Sequence, residues 1–362
     1  MNVIHFSTEK HWRGGEQQIA YLIEELHSHG IANYLICRKN SEMEKYAIDQ
    51  QIPFSAVSIR NSIDIKAILK VSKIFNQQKA NFVHLHTSKA HTIGLAASFW
   101  APNQNLILHR RVSFPIRNTW LNRRKYNSKS IKKIVCISHD VAKIVKKMTR
   151  DPQKIEIIYS GIDLGKFNQS FDNFKIRETL NIPEDKIIVT GVGALSPEKD
   201  FTTFLKTAKI ALEHVKNIHF LIVGKGKEAP QLKRLSQELE IESNINFLGF
   251  RKDVPALLLQ SDVFMLCSKS EGLGTSFIDA AAAECALIGT NTGGIPEIIE
   301  DSKTGFLASV GSCKELSMKL ISILQDANLR KSLAKAAREK SERFSKVEMG
   351  RYYINLYEKL KE

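Results

Sequence analysis

Residues 270–281 read S-E-G-L-G-T-S-F-I-D-A-A, the stretch of this chain whose residue types are best suited to chemistry. It follows the apolar run Val263–Leu266 and leads into an alanine-rich segment, so a strand should end and a helix begin inside it. Thr275 or Ser276 would cap that helix. Gly272 and Gly274 let the backbone come close to a ligand, and the free N–H groups of a new helix would point at it, which is how phosphates are held. Glu271 and Asp279 would then flank a bound diphosphate, one carboxylate addressing a sugar and the other a ribose diol. A glycine-rich turn with a capping acid would use the same residue types without any ligand.

The elements that must position these groups follow from the apolar pattern. Short apolar runs alternate with helical spacing along the chain, which argues for α/β construction around parallel sheets. Strands are expected at Asn2–Phe6, 33–37, 81–85, 105–109 and 134–137, with a loop through Arg13, Gly14 and Gly15 and then a helix over about 16–29. A second series places strands at Ile187–Val192, 219–223, 245–248 and Val263–Leu266, and helices at 201–215, 229–239 and 253–260. Two such doubly wound units bind ligands at the carboxyl ends of their strands. The polar stretch 163–173 is the natural boundary, giving domains 1–168 and 169–345, with 346–362 rejoining the first. Met349, Tyr352, Tyr353, Leu356, Tyr357 and Leu360 recur at helical spacing, which core packing explains.

At 362 residues and 40.9 kDa, the chain has room for two domains. Its 43% hydrophobic and 25% charged residues exclude disordered, collagen-like and disulfide-rich classes. Five scattered cysteines without a C-x-x-C read as reduced thiols, and no signal peptide or membrane-spanning run is seen, so a cytoplasmic location is expected. Residues 1–170 carry 26 Lys and Arg against 12 Asp and Glu, whereas the remainder carries 27 against 26. Arg110 to Lys133 holds nine basic residues and no acid. An anionic partner is therefore expected for the first half: phospholipid headgroups, a phosphorylated acceptor or nucleic acid. Nucleic acid fits poorly, since only Phe114, Trp120 and Tyr126 interrupt that run and no recognition motif accompanies it.

One family unites these pieces. The 270–281 stretch resembles the E-x7-E signature of family 4 retaining glycosyltransferases. Further resemblances keep the family's order: the Arg13-Gly14-Gly15-Glu16 loop, I-Y-S-G-I-D at 158–163 with Phe167, V-G-A-L-S-P-E-K at 192–199, V-G-K-G at 223–226, F-L-G-F-R-K-D-V at 247–254, and G-G-I-P-E-I-I at 293–299 with Gly305. The resemblance implies a GT-B fold, in which two Rossmann-like doubly wound α/β domains face a cleft. It implies retaining transfer of a sugar from a nucleotide-diphosphate sugar, a UDP- or GDP-sugar, to a glycan or lipid-linked acceptor in lipopolysaccharide or other surface polysaccharide synthesis. Glu271, His109 and Lys199 would serve catalysis. Donor contacts would come from Gly14, Gly15, Lys199, Gly224, Lys225, Arg251, Val254, Glu271, Leu273, Gly274, Thr275 and Asp279. No metal or other cofactor is expected, because the chain has no D-x-D and Lys199, helped by the helix start, would meet the leaving group's charge. The protein would be cytoplasmic, with the inner face of the membrane a candidate partner for its basic half.

Two positions depart from the pattern. Asp279 stands where most members have Glu, and Ala194 where most have an Arg that grips phosphate; Lys225 and Arg251 are candidates to offset that loss. His84 and His86 end another strand and form a metal-like pair without a third ligand. Competing readings are a nucleotide-sugar epimerase of the same fold, a basic nucleic-acid- or membrane-binding protein without catalysis, and an inactive scaffold.

Overall fold

The computed structural model describes residues 1–102, 104–169 and 175–361, in two compact units, Met1–Gly161 with Lys346–Glu362 and Ile162–Ser345. Part of the expected boundary, 170–173, lies outside the described residues. The division falls earlier than 168, because Ile162 donates its N–H to Phe344 O and bridges Ser345, tying residue 162 to the second unit.

In the first unit seven parallel strands, β1 Asn2–Phe6, β2 Ala32–Arg38, β3 Phe54–Val57, β4 Phe82–Leu85, β5 Leu106–Arg110, β6 Ile131–Cys136 and β7 Ile155–Ile157, stand in the order β3-β2-β1-β4-β5-β6-β7. In the second unit β8 Ile187–Val192, β9 Ile218–Val223, β10 Ile245–Gly249, β11 Val263–Leu266, β12 Ala286–Thr290 and β13 Phe306–Ala308 stand in the order β10-β9-β8-β11-β12-β13. All its pairs are parallel too. Each sheet reverses its strand order once, between β1 and β4 and between β8 and β11, and such reversals open a crevice at the carboxyl ends of the strands.

The central strands are continuous apolar runs because helices cover both faces of a parallel sheet; Val263, Phe264, Met265 and Leu266 are all fully buried. The helix Gly14–Ser28 turns Ile19, Leu22, Ile23 and Leu26 inward at the helical spacing. The C-terminal helix Lys346–Lys359 packs in the first unit, where Met349, Tyr353, Leu356 and Tyr357 join Leu22, Phe82 and Ile107 in one cluster. Tyr352, which the spacing placed in the core, faces solvent instead. Gly350 lets this helix pack close against the helix Gly14–Ser28, since a methyl there would meet Glu25 Cβ at 2.6 Å. All five cysteines are free thiols and four are buried. Among the described residues no helix is long and apolar enough to cross a membrane.

Tyr357 is fully buried, stacks on Phe82 at 4.8 Å between ring centres, and bonds His84 Nε2 through its hydroxyl at 2.8 Å. Tyr357→Phe is expected to cost about 1 kcal/mol and Tyr357→Ala about 3–5 kcal/mol in denaturant unfolding of the first unit.

Candidate functional site

Lys199 lies in the loop after β8 and Glu271 in the loop after β11, the two strands between which the second sheet reverses. Their largely buried side chains form an ion pair, Nζ to Oε2, and Ser268 Oγ approaches the same oxygen at 3.5 Å. Backbone bonds hold the loops in this arrangement. Lys269 N–H donates to Glu198 O at 2.7 Å and Gly294 N–H to Glu271 O at 3.1 Å. Thr290 Oγ1 donates to Ser268 O at 2.6 Å. Two residues expected in separate roles thus meet, 72 positions apart in sequence.

The helix Thr275–Ala282 begins one residue earlier than the sequence suggests. Gly274 is the N-cap, with φ of 97°, and no side chain caps the helix; Thr275 and Ser276 are inside it. Only glycine takes that φ without strain, so the position that lets the backbone turn also leaves the first N–H groups of the helix without a side-chain acceptor. The Leu273 side chain is buried, which leaves its backbone as the part able to meet a ligand, while Thr275 is half-buried. A Cβ on Gly224 would lie 1.8 Å from Gly193 O, so the loops after β8 and β9 touch through backbone alone. Leu195 N–H donates to Lys225 O, which sets Lys225 next to Ala194, and the exposed Lys225 Nζ lies 6.0 Å from the centre of the Phe250 ring. Arg251, the other candidate to replace the missing arginine, closes its guanidinium on Asp253 with bonds of 2.8 and 2.5 Å just before Val254 opens the helix Val254–Leu258. That fork is already occupied, so Lys225 is the better substitute. Asp279 is half-buried on the helix Thr275–Ala282; burial pushes its carboxyl up to about 7 against the opposing pull of Lys166. A larger cleft of about 490 Å³ lies at the opposite, amino ends of β11 and β12, beside Asp262 and Glu284, and Lys199, Glu271 and Gly274 do not line it.

In the first unit the reversal between β1 and β4 carries a cleft of about 310 Å³ lined by Gly15, Glu16, His86, His109, Arg111 and Val112, among others. Gly14 opens the helix Gly14–Ser28, and Gly15 O accepts a 2.5 Å bond from Arg111 Nη1. His109 is the last residue but one of β5 and is buried, with Nε2 2.6 Å from His84 Nδ1 and Nδ1 3.3 Å from Tyr353 OH. A second histidine chain lies against this one. Arg111 Nη2 is 3.2 Å from His86 Nδ1, His86 Nε2 is 3.2 Å from His5 Nδ1, and His5 Nε2 is 2.9 Å from Asn33 Oδ1. A guanidinium only donates, so every proton in that chain is assigned: His86 and His5 each carry hydrogen on Nε2 and accept on Nδ1. Asn33 completes it, its amide nitrogen being engaged by Ile31 O.

Burial above all, then a neighbouring ring and the cationic Arg111, holds His84, His86 and His109 well below the ordinary imidazole range; His5 falls to about 4. The rings are therefore neutral at pH 7. His5, unnoticed in the sequence, supplies the third nitrogen missing from the His84–His86 pair, and these three ligand atoms lie within 4.8 Å of one another. A cation there would need a lone pair from each of His5, His84 and His86. It would break the chain that Arg111 polarises and sit beside a guanidinium, so this donor set fits a hydrogen-bond network better than a metal.

The family model described as Glycosyltransferase Family 4 matches residues 12–166, and that described as Glycosyl transferases group 1 matches residues 172–340. The chain is 26% identical over 311 residues to UDP-Gal:alpha-D-GlcNAc-diphosphoundecaprenol alpha-1,3-galactosyltransferase of Escherichia coli, covering 81% of this chain and 80% of the relative. It is also 26% identical over 323 residues to N,N'-diacetylbacillosaminyl-diphospho-undecaprenol alpha-1,3-N-acetylgalactosaminyltransferase of Campylobacter jejuni, covering 85% and 84%. Among solved structures, Anabaena HepE in complex with UDP and glucose superposes with a TM-score of 0.87 at 19% identity, covering 99% of this chain and all of that one. That likeness gives the fold, GT-B.

Acid should act in opposite directions on the buried histidines of the first unit and on Asp279 of the second. The unfolded chain takes up histidine protons below about pH 6.5 that the buried rings refuse, so the first unit loses stability as pH falls from there towards 4. Asp279 binds its proton more tightly folded than unfolded, so its contribution is full below its unfolded value near 4 and lost as pH rises through 7. Hydrogen exchange resolved by unit is expected to show the histidine trend in the first unit and, as the difference between wild type and Asp279→Asn, the Asp279 trend in the second. Asp279→Asn should stabilise the second unit at pH 8 by about 1–2 kcal/mol and leave it unchanged at pH 3.

Proposed function

This chain belongs to the family 4 glycosyltransferases, and on that premise we propose that it carries a sugar from a nucleotide-diphosphate donor, a UDP- or GDP-sugar, to a glycan or lipid-linked acceptor in surface-polysaccharide synthesis. The observation that carries the reading is the Lys199–Glu271 pair beside the uncapped helix start at Gly274. When the sugar–phosphate bond breaks, negative charge grows on the departing diphosphate. Lys199 and the N–H groups that follow Gly274 are the proposed acceptors of that charge. Glu271, released from Lys199 as the ammonium turns to phosphate, would take sugar hydroxyls, and Asp279 the ribose. Because Glu271 and Asp279 serve as binding groups, transfer with retention needs no covalent glycosyl–enzyme; the departing phosphate would take the acceptor's proton on the same face.

The two relatives' names support a lipid-diphosphate acceptor, and HepE's ligands support UDP. An acceptor with a diphosphate suits the basic first unit, whose cleft holds Arg111 close to His109. A protein working on such acceptors would act at the cytoplasmic surface of the membrane.

Two measurements test this reading. In a thermal-shift series of nucleotide sugars, one donor class should raise the melting temperature by several degrees. With that donor, Lys199→Ala and Glu271→Gln should each cut turnover at least about tenfold while the far-ultraviolet spectrum stays native. Normal rates in both variants, or sugar conversion without any acceptor as an epimerase would show, would overturn the reading.

A further inference from the structure

We propose that the carboxylate of Glu16 binds a hydroxyl of the acceptor sugar in the cleft of the first unit, and so helps to set which sugars that cleft accepts. The proposal deepens the acceptor reading above and rests on it.

Glu16 is the third residue of the helix Gly14–Ser28, and the positive end of a helix favours an acid in its first turn. That accounts for the charge but not for where the side chain lies. Glu16 is 3% exposed, yet it lines the cleft of about 310 Å³ beside Gly15, His86, His109 and Arg111. A carboxylate enclosed in this way is costly unless hydrogen-bonded, and it can accept about four such bonds. Ser7 Oγ donates to Oε1 at 3.1 Å, and the residue's own N–H is turned to the carboxylate. Among the described residues, no ion pair engages Glu16. Arg111 lines the same cleft, but its terminal nitrogens are engaged by Gly15 O and His86 Nδ1. Burial pushes the Glu16 carboxyl up, against the pull of Ser7 and Arg111. The group has accepting capacity left, and it borders the cleft.

That capacity calls for a ligand group that donates hydrogen without carrying positive charge. An amine would meet Arg13, Arg110 and Arg111, which line the cleft too, and a phosphate would be repelled by the carboxylate itself. A sugar hydroxyl is neutral and both donates and accepts. The imidazoles cannot take its hydrogen in place of Glu16, since both nitrogens of His86 and of His109 are already bonded. Glu9, the other acid of the cleft, is only half-buried. The cleft is at the small end for ligand sites, which suits one sugar ring. Glu16 moves no proton in this role: the acceptor's proton leaves with the departing phosphate, as proposed above.

The test measures dissociation constants on the full chain by titration calorimetry. Its probes are farnesyl diphosphate carrying glucose or N-acetylglucosamine, and the monodeoxy analogues of each. Glu16→Gln keeps an oxygen for Ser7 and should weaken binding of the parent acceptors about tenfold or more. One deoxy analogue should lose as much on the wild type and nothing further on Glu16→Gln, as two halves of one contact do. Ser7→Ala leaves the carboxylate in place and should bind the parents within about threefold of wild type. Parent acceptors that bind Glu16→Gln as tightly as wild type, deoxy losses that are equal on both proteins, or a Ser7→Ala defect matching Glu16→Gln would each overturn the proposal. The deoxy series on the wild type needs no variant to fold. Wild type that keeps its nucleotide-sugar thermal shift but binds neither parent would overturn the lipid-linked acceptor reading, and this proposal with it. Loss of that shift alone would count against the donor reading and leave Glu16 to be decided by the acceptor titrations.

Discussion

The second unit depends on one half-buried pair of opposite charges. Lys199 and Glu271 come from the carboxyl ends of neighbouring strands, and each would be costly to hold there alone. Backbone bonds from Lys269 to Glu198 and from Gly294 to Glu271 keep the loops where the pair can form, and the tight approach of Gly224 to Gly193 holds the adjoining loops. The same constraint prepares the site for an anion. A diphosphate entering beside Gly274 would meet an ammonium whose existing partner is a carboxylate with other hydroxyl groups to turn to. Partner exchange of this kind keeps the ammonium paired and the carboxylate hydrogen-bonded throughout, which a lone buried lysine could not do.

The first unit solves a different problem. Four buried rings on the central strands β1, β4 and β5 would repel one another if charged, and burial keeps them neutral. Arg111 then gives the network its direction, donating to His86 and to the Gly15 carbonyl, while the C-terminal helix contributes the Tyr353 and Tyr357 hydroxyls. A returning segment thereby orients His109, the histidine expected to serve catalysis.

Legibility in the sequence followed contiguity. The two-sheet plan, most of the central strands and the Glu271–Asp279 stretch were readable because their signals lie within a dozen residues. The edge strands β3, β7 and β13 were not: each has three or four residues, is half-buried, and lacks the apolar run that marks an interior strand. β12 escaped because it follows an alanine-rich helix and contains Gly289, and β6 begins earlier than expected because Lys132 and Lys133 mask its start. The helix cap was misassigned to Thr275 and Ser276, residue types that cap well, whereas a left-handed glycine turns the chain here. The histidine network was out of reach altogether, since His5, Asn33, His84, His86, His109, Arg111, Tyr353 and Tyr357 meet only through strand order and the returning helix.

The central claim is that a lysine and a glycine-led helix start meet the leaving diphosphate's charge without a divalent ion. Nucleoside diphosphate release, followed with donor and acceptor in excess EDTA and then with added manganese, tests it most directly. The account predicts the same rate before and after chelation. Activity that disappears with EDTA and returns with manganese would contradict it.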